Sequence, residues 1–153
     1  MKALNSMKNF LFIIGVIFFH SYSQAQNWGT DFEKAKLESS TEHKPILLVF
    51  QGSDWCAPCM KLDREIWTSE TFKNYSKDHL ILLKADFPRR KQNALSAEQK
   101  EKNNLLAETY NKNGFFPFVV LLDSNGKVLG TTGYKKISPE EYITELNSFY
   151  NAH

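Results

Sequence analysis

Apolar residues fall along this chain in short unbroken runs, separated by polar stretches with helical spacing. Residues 46–51 (Ile46, Leu47, Leu48, Val49, Phe50, Gln51) and 80–86 are two such runs, each bounded by polar residues. Runs of this length fit a buried strand better than a helix. Residues 116–122, opened by Phe116-Pro117, are a third. Asp123-Ser124-Asn125-Gly126 then gives a hairpin signal, and residues 127–132 return antiparallel. Gly133 ends that strand.

Helices fill the intervals. Thr30-Asp31-Phe32-Glu33 has capping-box spacing and predicts a helix over 31–40, with Phe32, Ala35 and the stem of Lys36 inward. Cys59, Leu62 and Ile66 make an inward stripe on a helix that ends near Trp67. Thr68-Ser69-Glu70-Thr71 caps a short helix through Tyr75. Ser96-Ala97-Glu98-Gln99 opens another that runs to Tyr110, with Leu105, Leu106 and Thr109 at helical spacing and Asn113-Gly114 as its stop. Ser138-Pro139-Glu140-Glu141 is a capping box with Pro at N1. Its helix carries Tyr142, Leu146, Phe149 and Tyr150. Two strands joined by a helix imply a parallel pair with a right-handed crossover. The fold class is therefore α/β, a central mixed sheet flanked by helices, with one helix N-terminal to it.

Residues 1–25 carry a different pattern. Lys2 and Lys8 precede ten apolar residues from Phe10 to Phe19, and Ser23-Gln24-Ala25 offers small residues where a signal peptidase reads. These features predict a secretory signal cleaved after Ala25. The alternative is a membrane anchor at residues 10–19, but a spanning helix needs about 20 apolar residues. The expected organisation is thus a signal over 1–25 and one domain over 26–153, exported to the periplasm. Of 19 basic and 17 acidic residues, Lys2 and Lys8 leave with the signal. The remaining 17 and 17 balance, so the basic pI belongs largely to the discarded piece. No basic stripe suggests nucleic acid.

Both cysteines lie in Trp55-Cys56-Ala57-Pro58-Cys59, where a predicted strand gives way to a predicted helix. A first helical turn exposes unpaired N–H groups and the positive end of the helix dipole. A thiolate there is stabilised, and the thiolate is the nucleophile in disulfide exchange. Cys56 is expected to be the attacking sulfur. Cys59, three residues on and on the same face, could then attack a mixed disulfide at Cys56. Pro58 fits a first turn, where its missing N–H costs nothing. A disulfide across so short a loop stabilises little through loop entropy. It reads better as a redox centre, the alternative being an incidental surface disulfide.

Strand, Trp-Cys-x-Pro-Cys and helix together resemble the thioredoxin superfamily, and residues 50–62 look most like its exported bacterial members. The order of predicted elements extends the likeness over 28–151. The resemblance implies a thioredoxin fold and thiol–disulfide exchange with client proteins. It implies a redox-active disulfide between Cys56 and Cys59, and no cofactor. It places Phe116-Pro117 at the family's cis-proline position. The Phe116 backbone would pair with an extended substrate segment, and Gly133 would let that segment approach. Trp55, Ala57 and Pro58 would complete the docking surface. Residues 87–104 look extended relative to small thioredoxins. The basic triplet Arg89-Arg90-Lys91 there is either a solvated loop tip or a contact for an acidic partner.

Two positions depart from the family. A buried Asp that serves the second cysteine is replaced by Phe50, and its Lys companion by Leu82. Cys59 is therefore expected to lose its proton more slowly, through water or a carboxylate at the rim. Ala57-Pro58 offers neither charge nor donor to the thiolate, which favours a reductant or isomerase-like role over a strong oxidase. An exported reductant needs a membrane thiol donor as partner, and a monomer suffices. Two cysteines, with His43, His79 and His153 at no metal spacing, do not make a zinc site. The competing class is a thioredoxin-shaped binding or chaperone module without turnover.

Overall fold

The computed structural model describes residues 26–152; the signal reading of 1–25 lies outside the described residues. Four strands form one mixed sheet in the order β2-β1-β3-β4. They are β1 (Ile46–Gln51), β2 (Ile81–Asp86), β3 (Phe118–Leu122) and β4 (Val128–Thr132). β1 and β2 pair in parallel, Ile46 opposite Ile81. β1 and β3 pair antiparallel, Phe50 opposite Phe118, and β3 and β4 form the expected hairpin. The helices are α1 (Phe32–Glu42), α2 (Ala57–Leu62), α3 (Glu70–His79), α4 (Ala97–Tyr110) and α5 (Pro139–Asn151), with a π-helical turn over Asp63–Trp67.

Because β1 lies inside the sheet, alternate residues feed two cores. Leu47 and Val49 join Leu62, Ile66, Trp67, Phe72, Tyr142 and Leu146 on one face. Ile46, Leu48 and Phe50 join Ala35 and Leu106 on the other. Both faces of the strand are dry, which explains its unbroken apolar run. Each such side chain contributes about 1.5–3 kcal/mol on leaving water. Trp67 is the largest fully buried residue. Its ring lies 4.6 Å from Phe72 and 5.3 Å from Tyr142.

Several boundaries differ from the sequence expectation. The cap of α1 is Asp31, not Thr30: the Asp31 carboxylate accepts from Lys34 N–H at 2.9 Å and meets Lys102 at 3.1 Å. Glu33 pairs with Lys36 instead of closing a box. α1 continues to Glu42, where His43 takes a left-handed φ of 55°. α3 runs past Tyr75 to His79, its Ser69 cap as expected. α4 stops at Tyr110, before Asn113-Gly114, because the Asn111 side chain bonds both N–H and C=O of Phe115 and ends the helix. Gly114, at φ 64°, serves the loop beyond. β3 starts at Phe118, two residues later than expected. Leu105 and Tyr150 are exposed. The capping box at Ser138 and Glu141 is present.

β4 carries Gly130 where the ring of Phe149 from α5 packs against the strand. A Cβ at residue 130 would fall 2.2 Å from that ring. Overpacking of this kind costs about 1–3 kcal/mol. Gly130→Ala is expected to lower stability to urea by that amount. Phe149→Ala should cost less in the Gly130→Ala background than alone. Independent, additive losses would show that the ring does not occupy the glycine's space.

Candidate active site

The site is built where β1 ends. After Gln51 the chain turns at Gly52, whose carbonyl accepts from Trp55 N–H at 3.3 Å and Cys56 N–H at 2.9 Å. That turn places Cys56 as the N-cap of α2, with extended φ and ψ of −89° and 98°. Its sulfur accepts from Cys59 N–H at 3.3 Å, and its carbonyl from Met60 N–H at 3.1 Å. An N–H aimed at a sulfur favours the thiolate over the thiol. Cys56 and Cys59 are joined as a disulfide, with their Cα atoms 5.2 Å apart.

The disulfide is less open than the sequence reading supposed. Cys56 is 3 % exposed and Cys59 4 %. Ala57 and Pro58 are the exposed positions of the pair's loop. Below them α2 passes into the π turn after only six residues. The sequence predicted one α-helix to Trp67. The wider turn brings Ile66 and Trp67, adjacent in sequence, both into the core.

Trp55 is anchored from several sides. Its indole N–H donates to Phe87 C=O at 2.7 Å. Its ring meets Phe116 edge-on at 5.5 Å, and the Arg89 guanidinium lies 3.7 Å above its face. On the fourth side is Gly52, whose absent side chain leaves the indole its place: a Cβ there would lie 2.2 Å from the ring. Trp55 is thus half-buried and packed as well as placed beside the cysteines.

Phe116-Pro117 is a cis peptide bond. Phe118, next in sequence, pairs with Phe50 near the end of β1, so the cis-proline stands at the same end of the sheet as the cysteine loop. Phe116 is held between Trp55 and Phe87, each 5.5 Å away ring to ring. Gly133 follows the end of β4 and abuts Pro117: a Cβ there would be 3.2 Å from the Pro117 carbonyl oxygen. Tyr142 of α5 donates its hydroxyl to Gly133 C=O at 3.0 Å. Trp55 and Cys56 in the turn after β1, Ala57, Pro58 and Cys59 in the first turn of α2, Phe116 and Pro117 ahead of β3, and Gly133 after β4 therefore all lie at one end of the sheet.

Phe50 fills the position expected of an acid with a fully buried ring, 6.3 Å from Phe118. Leu82 is buried as well. The cation on β2 is Lys84, two residues on and on the same face as Leu82. Its ammonium lies 4.5 Å from the Trp28 ring and 3.8 Å from the Asp63 carboxylate. Lys84 and Asp63 share a pocket of about 260 Å³ with Gln51, Ser53, Met60 and Cys59. Cys59 thus has a polar, water-accessible flank with a carboxylate at its rim.

Sequence reasoning missed one residue that organises this end of the molecule. The Asp54 carboxylate accepts from the backbone N–H of Arg89 and of Arg90 and from the Asn93 side chain, each at 2.9 Å. It draws residues 87–93 against Trp55. Its position in the Gly-Ser-Asp loop was visible, but partners some 35 residues away carry no local signal.

A strand that delivers Cys-x-Pro-Cys to a helix start, beside a cis-proline at the mouth of the neighbouring strand, defines a redox protein of thioredoxin fold. The chain belongs to the thioredoxin-like family, which it matches over residues 27–124. It is 36% identical over 117 residues to the disulfide bond reductase DsbH of Chlamydia pneumoniae, covering 76% of this chain and 69% of that one. Among solved structures, a DsbH oxidoreductase superposes with a TM-score of 0.76 at 34% identity, over 83% of this chain and 85% of that chain. A disulphide isomerase from Xylella fastidiosa shares the fold at 24% identity, TM-score 0.59, over 85% and 96%. With the Cys56–Cys59 disulfide in place, this chain is a thioredoxin-like thiol–disulfide oxidoreductase.

The N–H donated by Arg89 holds the Asp54 carboxyl below its ordinary range, helped by Asn93 and Arg90. A depressed folded value gives stability that is present above the unfolded value of about 3.9. That stability is lost as pH falls through the folded value. Acid titration followed by NMR should release the Arg89 and Arg90 amides and the Trp55 indole N–H together, with a midpoint below about 3.9. A midpoint at or above the ordinary carboxylate value would mean that Asp54 does not hold the loop.

Proposed function

We propose that the chain is an exported reductant of client disulfides, acting as a monomer in the periplasm after cleavage behind Ala25. The observation that carries the reading is the Cys56 sulfur sitting as the N-cap of α2, with the Cys59 N–H aimed at it. In the reduced chain the Cys56 thiolate attacks one sulfur of a client disulfide. A mixed disulfide forms, and the other client sulfur leaves as a thiolate that water protonates. Cys59 then loses its proton, attacks the Cys56 sulfur and expels the second client thiolate. The chain ends oxidised, as Cys56–Cys59, and the client gains two electrons. A membrane dithiol donor reduces the pair again.

Trp55, Ala57, Pro58, the Phe116 backbone, Pro117 and Gly133 form the client-docking surface in this reading. The uncharged Ala57-Pro58 dipeptide supports a reducing role, and so does the likeness to a disulfide bond reductase. Cys59 exchanges its proton with water in the pocket that Asp63 and Lys84 border. Among the described residues no helix is long and apolar enough to cross a membrane.

Insulin reduction tests the reading. The chain over 26–153 should catalyse it, and Cys56→Ser and Cys59→Ser should each abolish turnover. A potential near about −270 mV is expected for the pair, whereas one near about −120 mV marks an oxidant. No catalysis by the reduced wild-type chain would favour a binding module instead. In stopped-flow work, the step in which Cys59 resolves a mixed disulfide should be slower than thioredoxin's at neutral pH. Equal rates would show that the missing buried acid at Phe50 has no consequence.

A further inference from the structure

Residues 87–93 do more than close the loop after β2. Arg89, Arg90 and Lys91 are exposed and consecutive, and no acidic residue occurs between 87 and 97. Among the described residues no ion pair within 4 Å engages any of the three. The two carboxylates at this rim are each engaged by N–H or O–H donors. Asp54 takes the Arg89, Arg90 and Asn93 N–H groups, and Asp86 takes the Ser53 N–H and hydroxyl, at 2.9 and 2.6 Å. Asp54 fixes the backbone of the loop and Asp86 the neighbouring turn at Ser53, while the cationic residues of the loop stay exposed.

The loop is also fixed against the redox site. Phe87 C=O receives the Trp55 indole N–H, and the Arg89 guanidinium stacks on the Trp55 ring at 3.7 Å. Trp55 precedes Cys56 and touches Phe116. The cationic rim therefore borders the aromatic cluster of Trp55, Phe87 and Phe116, beside which the chain exposes Ala57 and Pro58 next to Cys56 and Phe115 next to Phe116. Apolar groups with exposed cations that make no ion pair within 4 Å on one flank fit an extended segment that carries both apolar and acidic side chains.

We infer that Arg89, Arg90 and Lys91 select clients: the chain prefers disulfides flanked by Asp or Glu. The inference rests on the reading of this end of the sheet as the client-docking surface, and it names the class of client. Fields of this kind act mainly on encounter, so the preference should be strongest at low salt. Arg89 in addition keeps Trp55 in place, so the selectivity is best probed at its two neighbours.

Three disulfide-bonded peptides with one core sequence and acidic, neutral or basic flanks provide the test. The reduced chain should process the acidic peptide with kcat/KM about tenfold above the basic one in low salt. The ratio should fall toward one at about 0.5 M NaCl. Arg90→Glu with Lys91→Glu should invert the order. A second arm uses the same peptides with serine in place of cysteine, and measures their binding to the oxidised chain by NMR shifts around Trp55. The acidic peptide should bind at least about threefold more tightly than the basic one. That arm reads the preference even if no peptide is reduced, an outcome that would sink the reductase reading alone. Equal binding of the three peptides, or an order unchanged by the charge reversal, would overturn the inference.

Discussion

The indole of Trp55 stands where a side chain of residue 52 would have to go. Everything at the functional end of the molecule is arranged round that exclusion. The turn can close only because Gly52 has no Cβ, and its carbonyl then receives the N–H groups that start α2. The ring so placed collects Phe87, Arg89 and Phe116 from two distant parts of the chain. Through Phe116 it reaches the cis-proline, and through Pro117 the strand end at Gly133. One steric vacancy thus couples three loops to the cysteine pair. Hydrogen bonds to Asp54 and Tyr142 hold two of those loops from behind.

The rest of the fold supplies a rigid base for this end. β1 is hydrogen-bonded on both sides and apolar on both faces, so it cannot shift register without exposing one core or the other. Trp67, at the end of the π turn, sits in the core among Trp28, Phe72 and Tyr142. The segment that begins with Cys56 is therefore anchored at its far end by the largest buried side chain in the described chain. Both ends of the redox segment are fixed, one by the turn at Gly52 and the other by packing of Trp67.

Much of this was legible in the sequence, and the reasons are physical. The strands could be read because a strand buried on both faces must be apolar throughout, as residues 46–50 are. The last helix could be read because Ser138 and Glu141 make their capping bonds within four residues. The cysteine pair could be read from its place where a strand gives way to a helix, and Phe116-Pro117 through a family likeness; the structure brings them to one end of the sheet. What could not be read depends on distance. Asp54 looks like any loop acid until residues 89–93 fold over it. Asp31, which caps the first helix in place of Thr30, is also bound by Lys102, 71 residues away. The π turn leaves no trace in a periodicity that Leu62 and Ile66 satisfy equally well as an α-helix.

The N-terminal stretch ahead of α1 has a further consequence. Gly29 lies along β2, giving its N–H to Leu82 C=O and taking the N–H of Lys84. Those backbone groups on the outer margin of β2 are therefore already engaged there. A foreign strand cannot zip onto the sheet at that point, which removes one route to association between copies. That margin of the sheet is closed by the chain's own N-terminal stretch, well away from the strand ends where Phe116 and Gly133 lie.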